Sequence, residues 1–326
     1  MKSPGVSIVG LFAETPIHIG IGQVAGAIDL PVARDVTNGY PILPGSSLKG
    51  AFRDHCRWHF KSFDRMTGDD PLEVNQLFGG AIQHQDSEEL DPDELLGDAT
   101  DAAGSVLFGE GRLLLLPVRS LSQSFRWVTC RHVLRRLEMD LGRARAKKSV
   151  PRDLTVSGTQ ALVSQAQPTK IYLEELSFDA DVRMAQSLEV LANILTDLLP
   201  VPEPDAADLV ISKNELLSRL TIVSDEVFGF LARTSLPVRT RNRLQPLTKQ
   251  VVGGHLWTEE LVPSETLFYS ILAERSGAPS SGLGKLEKSF GAHKYLQVGG
   301  KETIGCGWFA LRFSSLAASS PAETAT

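Results

Sequence analysis

Residues 40–61 read YPILPGSSLKGAFRDHCRWHFK. The pattern predicts a helix over 46–62, opened by the Pro44-Gly45 turn, with Ser46 or Ser47 able to cap it. Leu48, Phe52, Cys56 and Phe60 recur every four residues and make an apolar stripe. Beside it, Lys49, Arg53, Arg57 and Lys61 make a slowly drifting basic stripe. The free N–H groups and positive dipole end at the helix start suit a phosphate. The ordinary reading of the same pattern is an amphipathic helix with a solvated face.

Outward from this helix the chain alternates strand-like and helix-like stretches. Residues 5–13 (GVSIVGLFA) predict a short buried strand. Residues 14–45 predict a long loop, with glycines at 20, 22, 26 and 39 and prolines at 16, 31, 41 and 44. Loops of this length are mostly functional or disordered. On the other side, 105–118 predicts one or two strands and 121–147 a helix broken near Gly142. Further strands are expected over 171–178 and 207–212, and helices over 184–199 and 213–220. Residues 236–257 predict two strands joined around Pro246, and 290–312 a glycine-rich loop with a last strand. The mixture is α+β, and a ferredoxin-like (RRM-like) core with inserted loops and helices fits it better than a doubly wound parallel sheet. The tail, 314–326, is small and polar and is expected to be disordered.

Composition narrows the function classes. The 326 residues carry 33 lysines and arginines against 39 acids, a net charge of −6. That excludes a wholly basic nucleic-acid binder but leaves room for a local basic groove. Eight acids and no lysine or arginine lie between Asp86 and Asp101, which reads as a solvated acidic insertion over 84–104. By contrast, Arg126 to Arg152 holds nine bases against two acids. Cys56, Cys130 and Cys306 are far apart with no paired C-x-x-C, so neither a disulfide framework nor a structural zinc site is expected. No apolar run approaches the ~20 residues that span a bilayer. A soluble, cytoplasmic protein without a membrane partner is the expectation.

Three motifs resemble known sites without completing them. Gly20-Ile-Gly22-Gln-Val-Ala25 matches a dinucleotide fingerprint, but Asp29-Leu30-Pro31 follows where a helix should open. Gly300 to Gly305 resembles half a phosphate loop that lacks the lysine and the serine or threonine. His55 and His59 have a metal-compatible spacing but no obvious third ligand, and read as structural or surface histidines.

Four segments can carry chemistry. The helix at 46–62 is the first. In the second, Arg239, Arg241 and Arg243 alternate, which in a regular strand puts all three on one face. Leu231 to Val252 holds five bases and no acid; this basic ribbon suits a phosphate backbone, or else guards an edge strand. The third, PIHIGIGQVAGAIDLPVARD (16–35), places His18 and Asp29 on a glycine-rich loop with Arg34 nearby. An aspartate there could hold a metal, orient a 2′-hydroxyl, or simply cap a turn. In the fourth, QVGGKETIGCGWF (297–309), four glycines in nine residues allow a backbone to approach a ligand closely, or make a tight turn.

Taken together, these segments resemble the RAMP superfamily of CRISPR proteins. The nearer resemblance is to the fourth Cmr subunit, the repeated backbone subunit of type III-B effector complexes. The resembling stretches run in order along the chain: TPIHIGIG (15–22), GAIDLPVARD (26–35), GYPILPGSSLKGAFRD (39–54), LLLLPVRSLSQSFRWVT (113–129), IYLEEL (171–176), VSDEVF (223–228), TRNRL (240–244), GGHLWTEELVPSETLF (253–268) and VGGKETIGCGW (298–308). The resemblance implies one hand-like RAMP domain over 1–313. It would have a ferredoxin-like palm, a β-hairpin thumb near 236–257 and variable insertions.

The resemblance also implies a function. Copies of the chain would stack along a guide RNA beside other Cmr subunits, and would cut complementary single-stranded target RNA at regular intervals. Asp29 falls on the family's nuclease aspartate, within G-x-[IV]-D-x-P-[IV]. His18 falls on its loop histidine and Glu259 on an acidic position after the thumb. Glu259 and Glu260 are adjacent, so in a strand at most one faces the site. Asp29 would bind a divalent metal, magnesium, or act as base. Guide-RNA contacts are expected from Ser46, Ser47, Lys49 and Arg53, from Arg119, and from Arg239, Arg241 and Arg243. Gly299, Gly300, Lys301 and Gly305 complete that set. The alternatives are a non-catalytic guide-binding scaffold and a guide-processing ribonuclease of the same superfamily.

Overall fold

The computed structural model describes residues 5–60, 70–81, 101–165, 169–201, 211–277, 281–291 and 294–316. In chain order the first half runs β1 (Val6–Ala13), β2 (Ile42–Leu43), α1 (Gly45–His59), α2 (Leu72–Phe78), β3 (Gly79–Ala81), β4 (Asp101–Ala103), β5 (Val106–Phe108), β6 (Gly111–Arg119), β7 (Phe125–Cys130), α3 (Arg131–Arg143), β8 (Gln160–Leu162), β9 (Lys170–Leu173) and β10 (Leu176–Asp181). The second half runs α4 (Ala185–Leu195), α5 (Lys213–Arg219), β11 (Leu220–Val223), α6 (Asp225–Thr234), β12 (Val238–Leu244), β13 (Val251–Glu260), β14 (Leu267–Glu274), α7 (Gly282–Ser289), β15 (Tyr295–Gln297) and β16 (Trp308–Phe313). The fold is α+β.

One large sheet organises the molecule, in the order β15-β16-β1-β14-β6-β7-β11-β8-β10-β9. In its central part β1 lies between β16 and β14, and β14 pairs with β6, every neighbour antiparallel. β1 holds this position because it is apolar on both faces: Ile8, Val9, Leu11 and Ala13 are buried. On one face α1 inserts Leu48, Phe52 and Cys56, and the Phe52 ring meets Phe290, just beyond α7, edge-on at 5.5 Å. On the other face Tyr269, opposite Gly10 in register, donates its hydroxyl to Asp140 of α3 at 2.9 Å. A Cβ at Gly10 would lie 1.9 Å from the Leu198 carbonyl oxygen, so only glycine lets the chain after α4 reach the sheet.

The strand at 5–13 and the hairpin around Pro246 form as the pattern predicts, while several boundaries differ. The helix expected over 121–147 is a strand followed by the shorter α3, because β7 pairs with β6 over Phe125–Val128 and with β11 over Trp127–Cys130. Tertiary pairing there outweighs local propensity. α1 begins at Gly45 with Pro44 at the cap position, and neither serine caps it. Of the acidic stretch 84–104, residues 84–100 lie outside the described residues, while Asp101–Ala103 pairs with β3. Of the strand expected over 207–212, only 211–212 are described, and they are irregular. In the tail, 314–316 are described and Leu316 is buried in the core; 317–326 lie outside. No helix among the described residues is long and apolar enough to cross a membrane.

Candidate active site and nucleic-acid interface

The long loop before α1 is held against the chain's C-terminal half. Ile17 and Val262 exchange backbone hydrogen bonds at 2.8 and 2.9 Å. Further along, the Leu30 N–H donates to the Thr258 carbonyl and the Glu260 N–H to the Leu30 carbonyl, both at 3.0 Å. β13 thus carries β12 on one edge and a short parallel partner at Leu30 on the other. This places His18 and Asp29 against the Thr258–Glu260 stretch of β13; the Glu259 side chain lies on the face opposite Thr258 and has no hydrogen bond to either among the described residues.

Three carboxylates lie along this segment, and their partners differ. Asp29 is oriented by uncharged donors: its Oδ2 accepts from the Thr258 N–H at 2.7 Å and the Thr258 hydroxyl at 2.9 Å. The Thr258 backbone N–H, then its hydroxyl, holds the Asp29 carboxyl below the usual range. Glu259 is 1% exposed and carries cations. Its Oε1 accepts from Lys301 Nζ at 2.5 Å and Trp257 Nε1 at 2.6 Å, while Arg241 lies 3.4 Å from Oε2. Burial pushes the Glu259 carboxyl up, but Lys301, Trp257 and Arg241 outweigh it and bring it below its ordinary value. Glu260 accepts from Arg34 at 2.5 Å and from the Val32 N–H at 3.1 Å. The two adjacent glutamates therefore face opposite ways, as strand geometry requires.

His18 is buried, and its Nδ1 donates to the Glu260 carbonyl at 2.9 Å. Because a carbonyl only accepts, Nδ1 carries a proton. A Cβ at Gly20 would sit 2.8 Å from Nε2. The Gly300 N–H donates to the His18 carbonyl at 2.9 Å. Gly299, at φ +96°, passes so close that a Cβ would lie 2.6 Å from that same carbonyl. The glycines of 299–307 thus give close backbone approach, but the group approached is the chain's own loop. Lys301 and Gly305 both adopt left-handed conformations in this turn.

The predicted RNA-contact residues fall into two groups. Arg53 is engaged with Asp70 at 2.7 Å and Asn75 at 3.3 Å, and Arg57 shares the same aspartate. Arg119 pairs with Glu174 at 2.9 Å but stays 82% exposed. Lys49, Arg239 and Arg243 have no side-chain partner among the described residues. Ser46 is exposed and Ser47 half-buried in the first turn of α1. On β12, Arg239 lies opposite Glu259 and Arg241 opposite Trp257, sharing a face. The register then slips between Asn242 and Leu244, so alternation no longer places Arg243 with them.

Sequence reasoning missed Thr258 and Trp257 at this site. The alternation of β13 was the available signal, since it groups Thr258 with Glu260 and Trp257 with Glu259. His55 stacks on Phe290 at 3.8 Å, the structural role expected of it. Among the described residues, no group of three or more histidine, cysteine, aspartate or glutamate side chains is placed to hold a metal.

The family model of the RAMP superfamily matches residues 12–310. The chain belongs to the RAMP superfamily. Within it, this RAMP protein is 30% identical over 307 residues to the CRISPR system Cmr endoribonuclease Cmr4 of Pyrococcus furiosus, covering 92% of this chain and 93% of that one. Its fold is similar to the crystal structure of oligomeric Cmr4 from Pyrococcus furiosus, with a TM-score of 0.65, 24% identity, and coverage of 96% and 98% of the two chains. It is also similar to a chain in the cryo-EM structure of the type III-B Cmr-beta bound to cognate target RNA. There the TM-score is 0.64, the identity 20%, and the coverage 94% and 96%.

Proposed function

We propose that this RAMP protein is the repeated backbone subunit of a type III-B effector, binding guide RNA along a filament of its own copies and cleaving complementary target RNA. The likeness to a relative named as an endoribonuclease supports the activity. The central strand order, with β1–α1–β6 and β14–α7–β16 interleaved and antiparallel, supports reading this part as a ferredoxin-like palm. The β12–β13 hairpin, basic on one strand and apolar and exposed at Leu244, Leu247, Val251 and Leu256, supports reading it as the thumb.

One observation carries the assignment of the cleavage residue. Of the three carboxylates, only Asp29 is fixed by neutral donors; Glu259 and Glu260 are cancelled by cations. Asp29 therefore keeps its charge for something outside the protein. Its hard oxygen donors fit magnesium, which commonly uses one or two carboxylates and completes its shell with water and substrate phosphate. Asp29 would hold that ion together with the RNA phosphate, and the ion would stabilise charge on the phosphate. A carboxyl held below its usual range is a poor base at neutral pH, so the metal-holding role suits Asp29 better than proton removal. Cleavage by the 2′-hydroxyl on the adjacent phosphate then depends on in-line geometry, which a wedge-like hairpin would impose by distorting the RNA.

The test is target-RNA cleavage by the assembled complex, comparing wild type with Asp29→Ala, each in magnesium and in EDTA. Regularly spaced products that vanish in the variant while target binding persists are expected. Cleavage that persists in the variant makes the chain a scaffold. Cleavage of the guide precursor in EDTA makes it a processing ribonuclease.

A further inference from the structure

The feature that fixes Asp29 is a single residue 229 positions away. We propose that Thr258 is the positioning residue of the cleavage site: it holds Asp29 Oδ2 inward so that Oδ1 is the oxygen presented to RNA. The inference rests on the reading of Asp29 given above and adds the residue that makes it work.

Three hydrogen bonds join the two residues. The Thr258 hydroxyl donates to Oδ2 at 2.9 Å and its backbone N–H donates to the same oxygen at 2.7 Å. The hydroxyl oxygen in turn accepts from the Asp29 N–H at 3.0 Å. Both the backbone and the carboxylate rotor of Asp29 are thereby set from one side. Among the described residues, Oδ1 receives no hydrogen bond from another residue. All of these donors are neutral, so they orient the charge without cancelling it, unlike the lysine and arginines on the neighbouring glutamates.

A brace lies behind this contact. Glu260, two residues on and therefore on the same face of β13, accepts from Val32 and Arg34. Arg34 reaches on to the carbonyls of Gly39 and Ala232, each at 2.8 Å. The loop is thus anchored by its backbone at Leu30, by Val32 and by Arg34, and Asp29 is placed where β13 puts Thr258. An aspartate on a glycine-rich loop would otherwise sample many orientations. Thr258 supplies the preorganisation that a catalytic group needs from its surroundings.

The experiment uses the assembled complex with Thr258→Val, which keeps the shape and the backbone N–H but removes the hydroxyl, and with Thr258→Ser, which restores it. Asp29→Ala runs alongside. Single-turnover cleavage at saturating target is expected to fall about 10- to 100-fold in the valine variant, the range for a misplaced catalytic group. Target affinity should stay unchanged, and serine should recover most of the rate. A valine variant that cuts at the wild-type rate while Asp29→Ala is inactive overturns the positioning role alone. Loss of target affinity by the same factor as the rate, or a serine variant as slow as valine, overturns it too. Normal cleavage by Asp29→Ala overturns the reading of Asp29 and this inference with it.

Discussion

Glu259→Gln removes one negative charge from the crossing point of the hairpin and the glycine-rich loop and leaves its shape intact. In the native protein that carboxylate binds Lys301, Trp257 and Arg241. Removing one partner of a fully buried ion pair costs about 3–5 kcal/mol. Here the glutamate is 1% exposed, but the Lys301 and Arg241 side chains are 23% and 37% exposed. Water compensates those cations in part, and a glutamine carbonyl still accepts from Trp257. The expected loss is therefore about 1–2 kcal/mol, a fall of about 1.5–3 °C in melting temperature for a chain of this size. The pH dependence has a definite sign. The folded-state pKa of Glu259 lies below its ordinary value of 4.5. Its contribution is therefore complete above the unfolded-state pKa and is lost as pH falls through the lower folded value. The gap in melting temperature between wild type and variant should be full at pH 7 and narrow as the pH drops below about 4. Thermal melts followed by circular dichroism across this range measure it. Equal melting temperatures at pH 7, or a gap that widens on acidification, would refute the reasoning.

Gly299→Ala should cost about 1–3 kcal/mol, because the new Cβ meets the His18 carbonyl at 2.6 Å and the backbone is left-handed there. Gly22→Ala, at a similar φ of +93° with nothing within 4 Å, should lower the melting temperature less; equal losses in the two variants would remove the contact argument. Arg239→Ala should weaken guide-RNA binding and flatten the dependence of log affinity on log salt by about 0.7, one single-strand phosphate. Arg241→Ala should lower the melting temperature more than Arg239→Ala does, since only Arg241 is tied to Glu259; the reverse order would refute the division of roles.

Much of the site was legible in the sequence because it lies in short ordered motifs. Asp29 and His18 stand on one glycine-rich loop, and the adjacent Glu259 and Glu260 were bound to diverge in a strand. The contacts that make the site were not legible, because they join residues more than two hundred positions apart. No local period predicts that Thr258 meets Asp29 or that Arg34 meets Glu260. The partners of the basic stripe were hidden for a related reason. Spacing places Arg53 and Arg57 on one side of a helix, but it cannot show that Asp70, beyond the end of that helix, turns back to bind both. The helix expected over 121–147 failed where a second strand covered its first half, and β11 is too far along the chain to leave a trace in the periodicity.

The partners of the basic residues bear on how the chain would hold RNA. Of the seven lysines and arginines expected to contact it, Arg53, Arg241 and Lys301 are already bound to carboxylates whose side chains are 5% exposed or less. Arg119 is only loosely held, since it is 82% exposed and exposed pairs contribute little. Lys49, Arg239 and Arg243 remain without side-chain partners among the described residues. Three or four phosphate contacts correspond to a salt slope of about −2 to −3 on a single strand, which is weak attachment for one copy of a chain whose net charge is −6. Backbone contacts also carry no sequence information, so a single copy would neither hold a guide firmly nor choose one. Repetition along one RNA resolves both points: each added copy binds at the effective concentration set by its neighbours, and any guide sequence is accepted. The few free cations in this expected contact set thus suit a subunit that repeats along one RNA.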